Sequence, residues 1–372
     1  MLHDFFLTEW FFYAVRWLYG VLGNSYFLTI FVTTLILRLI QIYPDIKSRK
    51  TQQKQAALQP QIDALKKKYA DNPQKLQQEQ QKLMKENGIG CIAGCLPMLM
   101  TLPLFFCFLA AFRFWGYEQN LKLTYETIVS KNQAKEASIG DNAPDGSELK
   151  DQAQETFESY RFLWITNIWQ PDSGFAPVIT PADTVRTYGN ANGCSCAGKS
   201  NIGNLVLLQK GYTDLSGNYV SGEQIWQAFL DEGLASGNYV KDGETVEEGA
   251  EMQLLNTDDS RKKYAELMQR FDKGYNNGWF ILPILATVFQ FLLSWLGQRQ
   301  SKKANPAAAN AAPGMNMMMY LFPVMSLFFC LSSTSAFALY WVLSSVFQMV
   351  SSTIINHFMT KKAHNNGEIT VE

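Results

Sequence analysis

Histidine is nearly missing from this chain: His3, His357 and His364 are the three in 372 residues. Metal binding and imidazole-based catalysis need several convergent side chains, and this sequence cannot assemble an imidazole cluster. Carboxylates number 33, yet none falls inside any long apolar run. Paired acids within a membrane, another route to chemistry there, therefore have no residues to use. The chain is read as no enzyme, needing no cofactor and no metal. An excess of one charge is lacking too, with a formal net charge of -1, and no DNA partner is expected. The N-terminus, MLHDFFLTEWFFYAVRWLYG, has Asp4 and Glu9 where a secretory signal would be basic. It also has no small-residue cleavage site. Residues 1–19 are read as an amphipathic helix lying in the outer interface, with a simple aromatic anchor as the alternative.

What is present is a set of apolar blocks. The mean hydropathy of -0.11 averages over two kinds of material. Tyr26–Tyr43, Cys91–Trp115, Trp279–Leu296, Met317–Leu331 and Phe337–Phe358 are apolar and rich in aromatics. Pro97, Pro103, Pro283 and Pro323 lie inside them. Such prolines argue against a soluble helix but are tolerated in a membrane bundle, where neighbours satisfy the freed carbonyls. Five transmembrane spans are expected, at 20–44, 89–115, 279–297, 317–332 and 337–358. Basic residues follow spans one, three and five: Lys47, Arg49, Lys50 and Lys54; then Arg299, Lys302 and Lys303; then Lys361 and Lys362. By the positive-inside rule that side is the cytoplasm. Segments 45–88, 298–316 and 359–372 then lie inside, and the N-terminus and 116–278 outside.

Arg38 interrupts the first run, YFLTIFVTTLILRLIQIY. A charge at a membrane centre costs roughly 2.5–3.5 kcal/mol on insertion scales. Either its stem snorkels to the headgroups past Pro44, or it faces a watery cavity between helices. After this run, Leu58, Ile62, Leu65 and Tyr69 follow a 4-3-4 spacing, one apolar stripe of a helix. Asn72-Pro73 suits the cap and first turn of a second helix carrying Leu76, Leu83 and Met84. Asn87-Gly88 stops it. Residues 45–88 thus read as a basic helical hairpin, suited to acidic headgroups, ribosomal RNA or a partner protein.

Together, TTLILRLIQIYPDIKSRK, LQPQIDALKKKY, NPQKLQQEQQKLMKENG, GCLPMLMTLP, FLWITNIWQPD, WFILPILATVFQFL, MNMMMYLFPVMSLFF and FALYWVLSSVFQMV resemble the YidC/Oxa/Alb family of membrane protein insertases. The resemblance implies an all-α polytopic membrane protein, five helices around a hydrophilic groove; with the cytoplasmic helical hairpin, an outer inserted module completes the expected architecture. It implies that Arg38 is the groove's positive charge, with Thr34 one turn earlier beside it. Gln290 matches a polar groove position of span three, and Tyr340 and Trp341 the aromatic pair of span five. Thr101 stands where the family often has glutamine. Thr334-Ser335-Ala336 replaces its usual turn before span five. The implied activity is insertion of nascent membrane proteins into the bacterial plasma membrane, without nucleotide hydrolysis. The ribosome, the signal recognition particle pathway and a Sec translocon are the implied partners, with the lipid bilayer. A secondary transporter or channel would also place Arg38 and Gln290 in a polar cavity. It predicts internal repeats with discontinuous helices, which the sequence does not show.

The outer segment departs from the family, with a long insertion mainly between Pro171 and Gly278, read as a small α+β module. A receptor-like ligand site there could coexist with insertion. SGNYVSGE at 216–223 is echoed by SGNYVKDGE at 236–244, either as two strand-and-turn units or by chance. Gly193 to Ser200 fits the P-loop pattern with Lys199 on the phosphates. The preceding TVRTYGNAN is a poor buried strand, so this is read as a decoy. Cys194 and Cys196 are free or paired thiols. Cys91, Cys95, Cys107 and Cys330 read as small apolar residues.

Overall fold

The computed structural model describes residues 6–70, 72–88, 96–139, 151–189, 205–214, 216–240, 251–272, 274, 276–304 and 313–365. The chain begins with α1 (Phe6–Val21), α2 (Tyr26–Ala57), α3 (Gln59–Lys68), α4 (Pro73–Glu86) and α5 (Leu96–Ile139). Short elements follow: α6 (Gln152–Ser159), α7 (Ala182–Gly189), α8 (Val206–Lys210), β1 (Tyr212–Thr213), β2 (Tyr219–Val220), α9 (Gly222–Asp231), β3 (Ala235–Ser236), β4 (Gln253–Leu254) and α10 (Asp258–Met268). The chain then returns to long helices, α11 (Ile281–Ala304), α12 (Pro313–Ser332) and α13 (Ser335–Asn365). Two compact units result. One holds residues 1–13, 109–281 and 331–337; the other holds 14–108, 282–330 and 338–372.

The second unit is built on long helices. Among the described residues, Tyr26–Thr51, Ile281–Arg299 and Ser335–Phe358 are long and apolar enough to cross a membrane, and Leu321–Ser332 is a shorter apolar helix. These helices leave large apolar side chains exposed, including Leu39, Ile40, Ile284, Val288, Val324 and Phe328, the side-chain chemistry of a lipid-facing surface. The expected first span ends at Pro44, but α2 continues through that proline to Ala57. Pro44 therefore does not end the helix. The break comes at Leu58, and Pro60 lies in the first turn of α3. Leu58 and Ile62 are buried against Leu83 and Met84, which pairs α3 with α4. Asn72 caps α4 by accepting from Lys75 N at 3.1 Å, with Pro73 in the first turn.

The mixed unit is organised around the C-terminal half of α5. This helix runs on to Ile139 instead of ending with the expected span at Trp115. Tyr117, Leu121, Leu123 and Ile128 are buried, and so are Glu118, Asn120, Thr124, Glu126 and Thr127. A helix buried all round must satisfy its polar groups, and most of these find partners, although Glu126 Oε2 has none among the described residues. Glu118 Oε1 accepts from Leu207 N at 2.9 Å, and Asn120 bonds Tyr264 Oη at 3.2 Å. Tyr212 Oη donates to Glu126 Oε1 at 3.1 Å. Burial pushes the Glu126 carboxyl above the usual carboxylate range, although Lys122 opposes the shift.

A second polar knot in this unit joins the segments flanking the insertion. Asn277 Oδ1 accepts from Asn167 N at 2.8 Å, and its Nδ2 donates to Asn167 O at 2.8 Å and Pro171 O at 3.0 Å. Asp172, fully buried, accepts from Trp279 N at 2.8 Å, Phe280 N at 3.1 Å and Trp164 Nε1 at 3.3 Å. Phe280 has a φ of 63°, a left-handed conformation uncommon outside glycine, and its N–H bond to Asp172 helps hold it. Gly278 packs so closely that a Cβ would lie 2.0 Å from Asp172 Oδ1. Within Thr334-Ser335-Ala336, where α13 begins at Ser335, Ser335 donates both N–H, at 2.9 Å, and Oγ–H, at 2.6 Å, to Gln170 O.

The inserted region is α+β only in a minimal sense. Among the described residues its strands are two-residue antiparallel pairs, β1 with β2 and β3 with β4. The two halves of the near-repeat are not equivalent. Tyr219-Val220 forms β2, whereas the second copy enters β3 at Ser236 and Tyr239-Val240 is not strand. Each tyrosine still donates to a backbone carbonyl at α8: Tyr219 to Lys210 O and Tyr239 to Leu208 O. The stretch EQIWQAFLD is helical, capped by a Ser221–Gln224 capping box. The P-loop-like segment with Lys199, and Cys91, Cys95, Cys194 and Cys196, lie outside the described residues.

Candidate polar seam on the last helix

The candidate side chains meet in the long-helix unit, on α13. Arg38 of α2 donates from Nε to Ser344 Oγ at 3.0 Å and from Nη2 to the same oxygen. Its Nη1 donates to Gln41 Oε1, three residues on, at 2.8 Å. Gln290 of α11 is buried and donates from Nε2 to Ser345 Oγ at 3.1 Å. Ser345 Oγ in turn donates to Trp341 O at 2.8 Å. Tyr340 stacks on Phe108 of α5, with centroids 4.4 Å apart and planes 6° from parallel. Trp341 packs on Phe322 of α12, with centroids 6.1 Å apart. Four residues within 340–345 of α13 thus contact α2, α5, α11 and α12.

Thr34 takes a different role from Arg38. It is fully buried, and its hydroxyl donates to Ile30 O at 2.6 Å, so that oxygen is tied to its own helix. Thr101 lies on α5, with its side chain outside the described set.

Several polar residues of the seam were not anticipated. Ser344, Ser345, Ser352 and Asn356 of α13 accept from α2 and α11, and Arg49 of α2 reaches α13 as Arg38 does. A signal for them existed. Positions 344, 348, 352 and 356 recur every four residues and are all polar, which places them along one side of a helix. On α2, positions 34, 38, 41, 45 and 49 are Thr, Arg, Gln, Asp and Arg at 4-3-4-4 spacing. Both stripes were hidden because the surrounding residues read simply as apolar or as a basic flank.

The arrangement is two polar stripes in contact within apolar helices. It positions two guanidinium groups against neutral hydroxyl and amide oxygens, with the Asp45 carboxylate interacting electrostatically with both. Such a site offers charge-assisted hydrogen bonds to an acceptor that brings a negative charge. Among the described residues, no group of three His, Cys, Asp or Glu is placed to hold a metal ion.

A family model described as "60Kd inner membrane protein" matches residues 17–193 and 250–362. The unmatched stretch, 194–249, falls within the expected insertion but is shorter than it, so Pro171 to Gly193 and 250–278 belong to the family-like part. Among curated relatives, the Membrane protein insertase YidC of Clostridium perfringens is 32% identical over 168 residues, which is 45% of this chain and 54% of that protein. The protein of the same name from Chlorobium limicola is 39% identical over 97 residues, 26% of this chain and 16% of that one. That from Rickettsia felis is 37% identical over 102 residues, 27% and 18% respectively. The chain thus spans about half of the first relative and under a fifth of the other two. Since the family model covers most of the chain and three described helices can cross a bilayer, this is a multi-pass inner-membrane protein of the 60Kd inner membrane protein (YidC/Oxa) family.

Proposed function

We propose that this protein inserts nascent membrane proteins into the bacterial plasma membrane and assists their folding there, without nucleotide hydrolysis. Family membership and relatives named as insertases support the activity. The observation that carries the mechanism is Arg38: a guanidinium in an apolar helix whose described hydrogen-bond partners, Ser344 and Gln41, are both neutral.

The physical problem is moving a short polar segment through hydrocarbon, where each unsatisfied backbone group costs several kcal/mol. A wet groove along Arg38, Thr34, Thr101, Gln290, Tyr340 and Trp341 lowers that barrier, with Arg38 supplying donors and a cation. An acidic residue in the client's outer segment is drawn to Arg38. The client's apolar segment then passes into lipid along α11 and α13. In this reading five helices span, the 45–88 hairpin and C-terminal tail face the cytoplasm, and the N-terminus and the mixed unit face outward. The hairpin is the docking surface for a ribosome, a targeting factor or a Sec-type channel. The family match favours this reading over a transporter or channel.

The test is reconstitution of the purified protein into liposomes, with a single-span client made by cell-free translation and depleted of nucleotide before addition. Protease-protected client that depends on the protein is expected. Equal protection in empty liposomes would refute the activity.

A further inference from the structure

Three basic residues follow Pro44 closely on α2: Lys47, Arg49 and Lys50. Lys47 and Lys50 are exposed, as a topological flank should be, but Arg49 is half-buried. Its guanidinium turns to α13, donating to Ser352 Oγ at 2.7 Å and to Asn356 Oδ1. That second bond fixes which way the Asn356 amide faces. The amide's Nδ2 is buried and has no hydrogen-bond partner among the described residues. A buried N–H group is ordinarily paired, so this one marks a place for an acceptor oxygen beside a cation.

Arg38 and Arg49 are 11 residues apart on one helix, about 16 Å along its axis. Asp45 lies between them on the same face and interacts electrostatically with both. One carboxylate shared between two guanidiniums leaves a positive charge over. Arg49 and Asn356 Nδ2 together offer donors to the two oxygens of a carboxylate.

We propose that Arg49, Ser352 and Asn356 form a second station for a carboxylate of the client, nearer the hairpin than Arg38. An acidic client segment engages Arg49 first and then passes along the seam to Arg38. This inference rests on the insertion reading above.

The experiment uses liposomes holding the full protein and two single-span clients, identical except that one carries two Asp residues in its translocated segment and the other two Asn. With Arg49→Gln, insertion of the Asp client should fall about tenfold, the scale of one charge-assisted hydrogen bond, and the Asn client should be unaffected. Arg49→Lys should restore much of the loss. If Arg49→Gln fails to assemble, Asn356→Leu, which leaves the guanidinium in place, should lower Asp-client insertion severalfold and spare the Asn client. Equal loss for both clients would make the residue purely structural and overturn the proposal, as would no loss for either. Wild-type protein that inserts neither client would overturn the insertion reading itself, and this station with it.

Discussion

Both units bury polar side chains, but they satisfy them differently. Around α5, Glu118 meets a backbone N–H, Asn120 meets a tyrosine hydroxyl, and Glu126 meets both Tyr212 and Lys122. Asp172 gathers three N–H donors. There, most acceptors and charges meet complementary groups, with Glu126 Oε2 left without a partner among the described residues, as in a core whose purpose is a fixed shape. Along the α2–α13 seam, two arginines rest on serine, glutamine and asparagine oxygens. The guanidinium hydrogen bonds are made, but Asn356 Nδ2 has no partner among the described residues, and with Asp45 near both arginines one positive charge is left over. A matched network stabilises the fold; an unmatched one, held within apolar helices, is poised to take a charged visitor.

The largest effect is expected from breaking the matched side. Asp172→Ala removes the acceptor of Trp279 N, Phe280 N and Trp164 Nε1. At 1–3 kcal/mol for each buried donor left unpaired, the loss should be about 3–5 kcal/mol after partial relaxation. Thermal unfolding in detergent, followed by tryptophan fluorescence, should show a much lower midpoint. Gly278→Ala should do comparable damage, since its Cβ would collide with Asp172 Oδ1. A wild-type midpoint in Asp172→Ala would show that the knot is not structural.

Changing the unmatched side should leave folding largely intact and alter activity. Arg38→Gln is expected to reduce insertion of clients with acidic outer segments about tenfold, on the scale of a lost charge-assisted bond. Neutral clients should be little affected, and the unfolding midpoint nearly unchanged. Equal insertion of acidic clients by the variant would remove charge attraction from the account.

A smaller effect should appear with pH in the mixed unit. Glu126 is held above its ordinary range by burial, so the folded state keeps its proton to higher pH than the unfolded chain does. Below the ordinary carboxylate range both states are protonated and the group contributes nothing. Across the window up to the raised value the folded state binds more protons, so stability falls as pH rises. Unfolding midpoints measured from mildly acidic to neutral pH should decline in the wild type, and less steeply in Glu126→Gln. Identical slopes would place the pH dependence elsewhere.

The smallest change is expected at Gln290. Gln290→Leu loses the bond to Ser345 and fills the space with hydrocarbon, and interhelical bonds of this kind average only about 0.6 kcal/mol. Midpoint and insertion should both shift slightly. A large loss of insertion would make Gln290's place in the groove, and not its bond to Ser345, the larger part of its role.

How much of this was legible depended on local signals. Apolar runs marked the long helices, and the cap at Asn72-Pro73 marked the start of α4. The isolated charge of Arg38 drew notice because its neighbours are all apolar. Arg49 drew none, because it sits among lysines and looks like a flank. Only its partners on α13, more than 300 residues away in sequence, set it apart. Pro44 suggested a boundary that α2 ignores. The near-repeat suggested equivalent units, but SGNYV enters different backbone conformations in its two copies, so tertiary context outweighed local sequence. Asn167, Asp172 and Asn277 gave no sign of their knot, since no spacing rule links residues over 100 positions apart.

The most direct test places a photoreactive residue next to the acid of a stalled single-span client and maps its cross-links on the protein. The account predicts adducts on α13 between Ser344 and Asn356 and on the facing stripe of α2, reduced when the client's acid is replaced by its amide. Cross-links confined to the mixed unit, or unchanged by removing the acid, would contradict it.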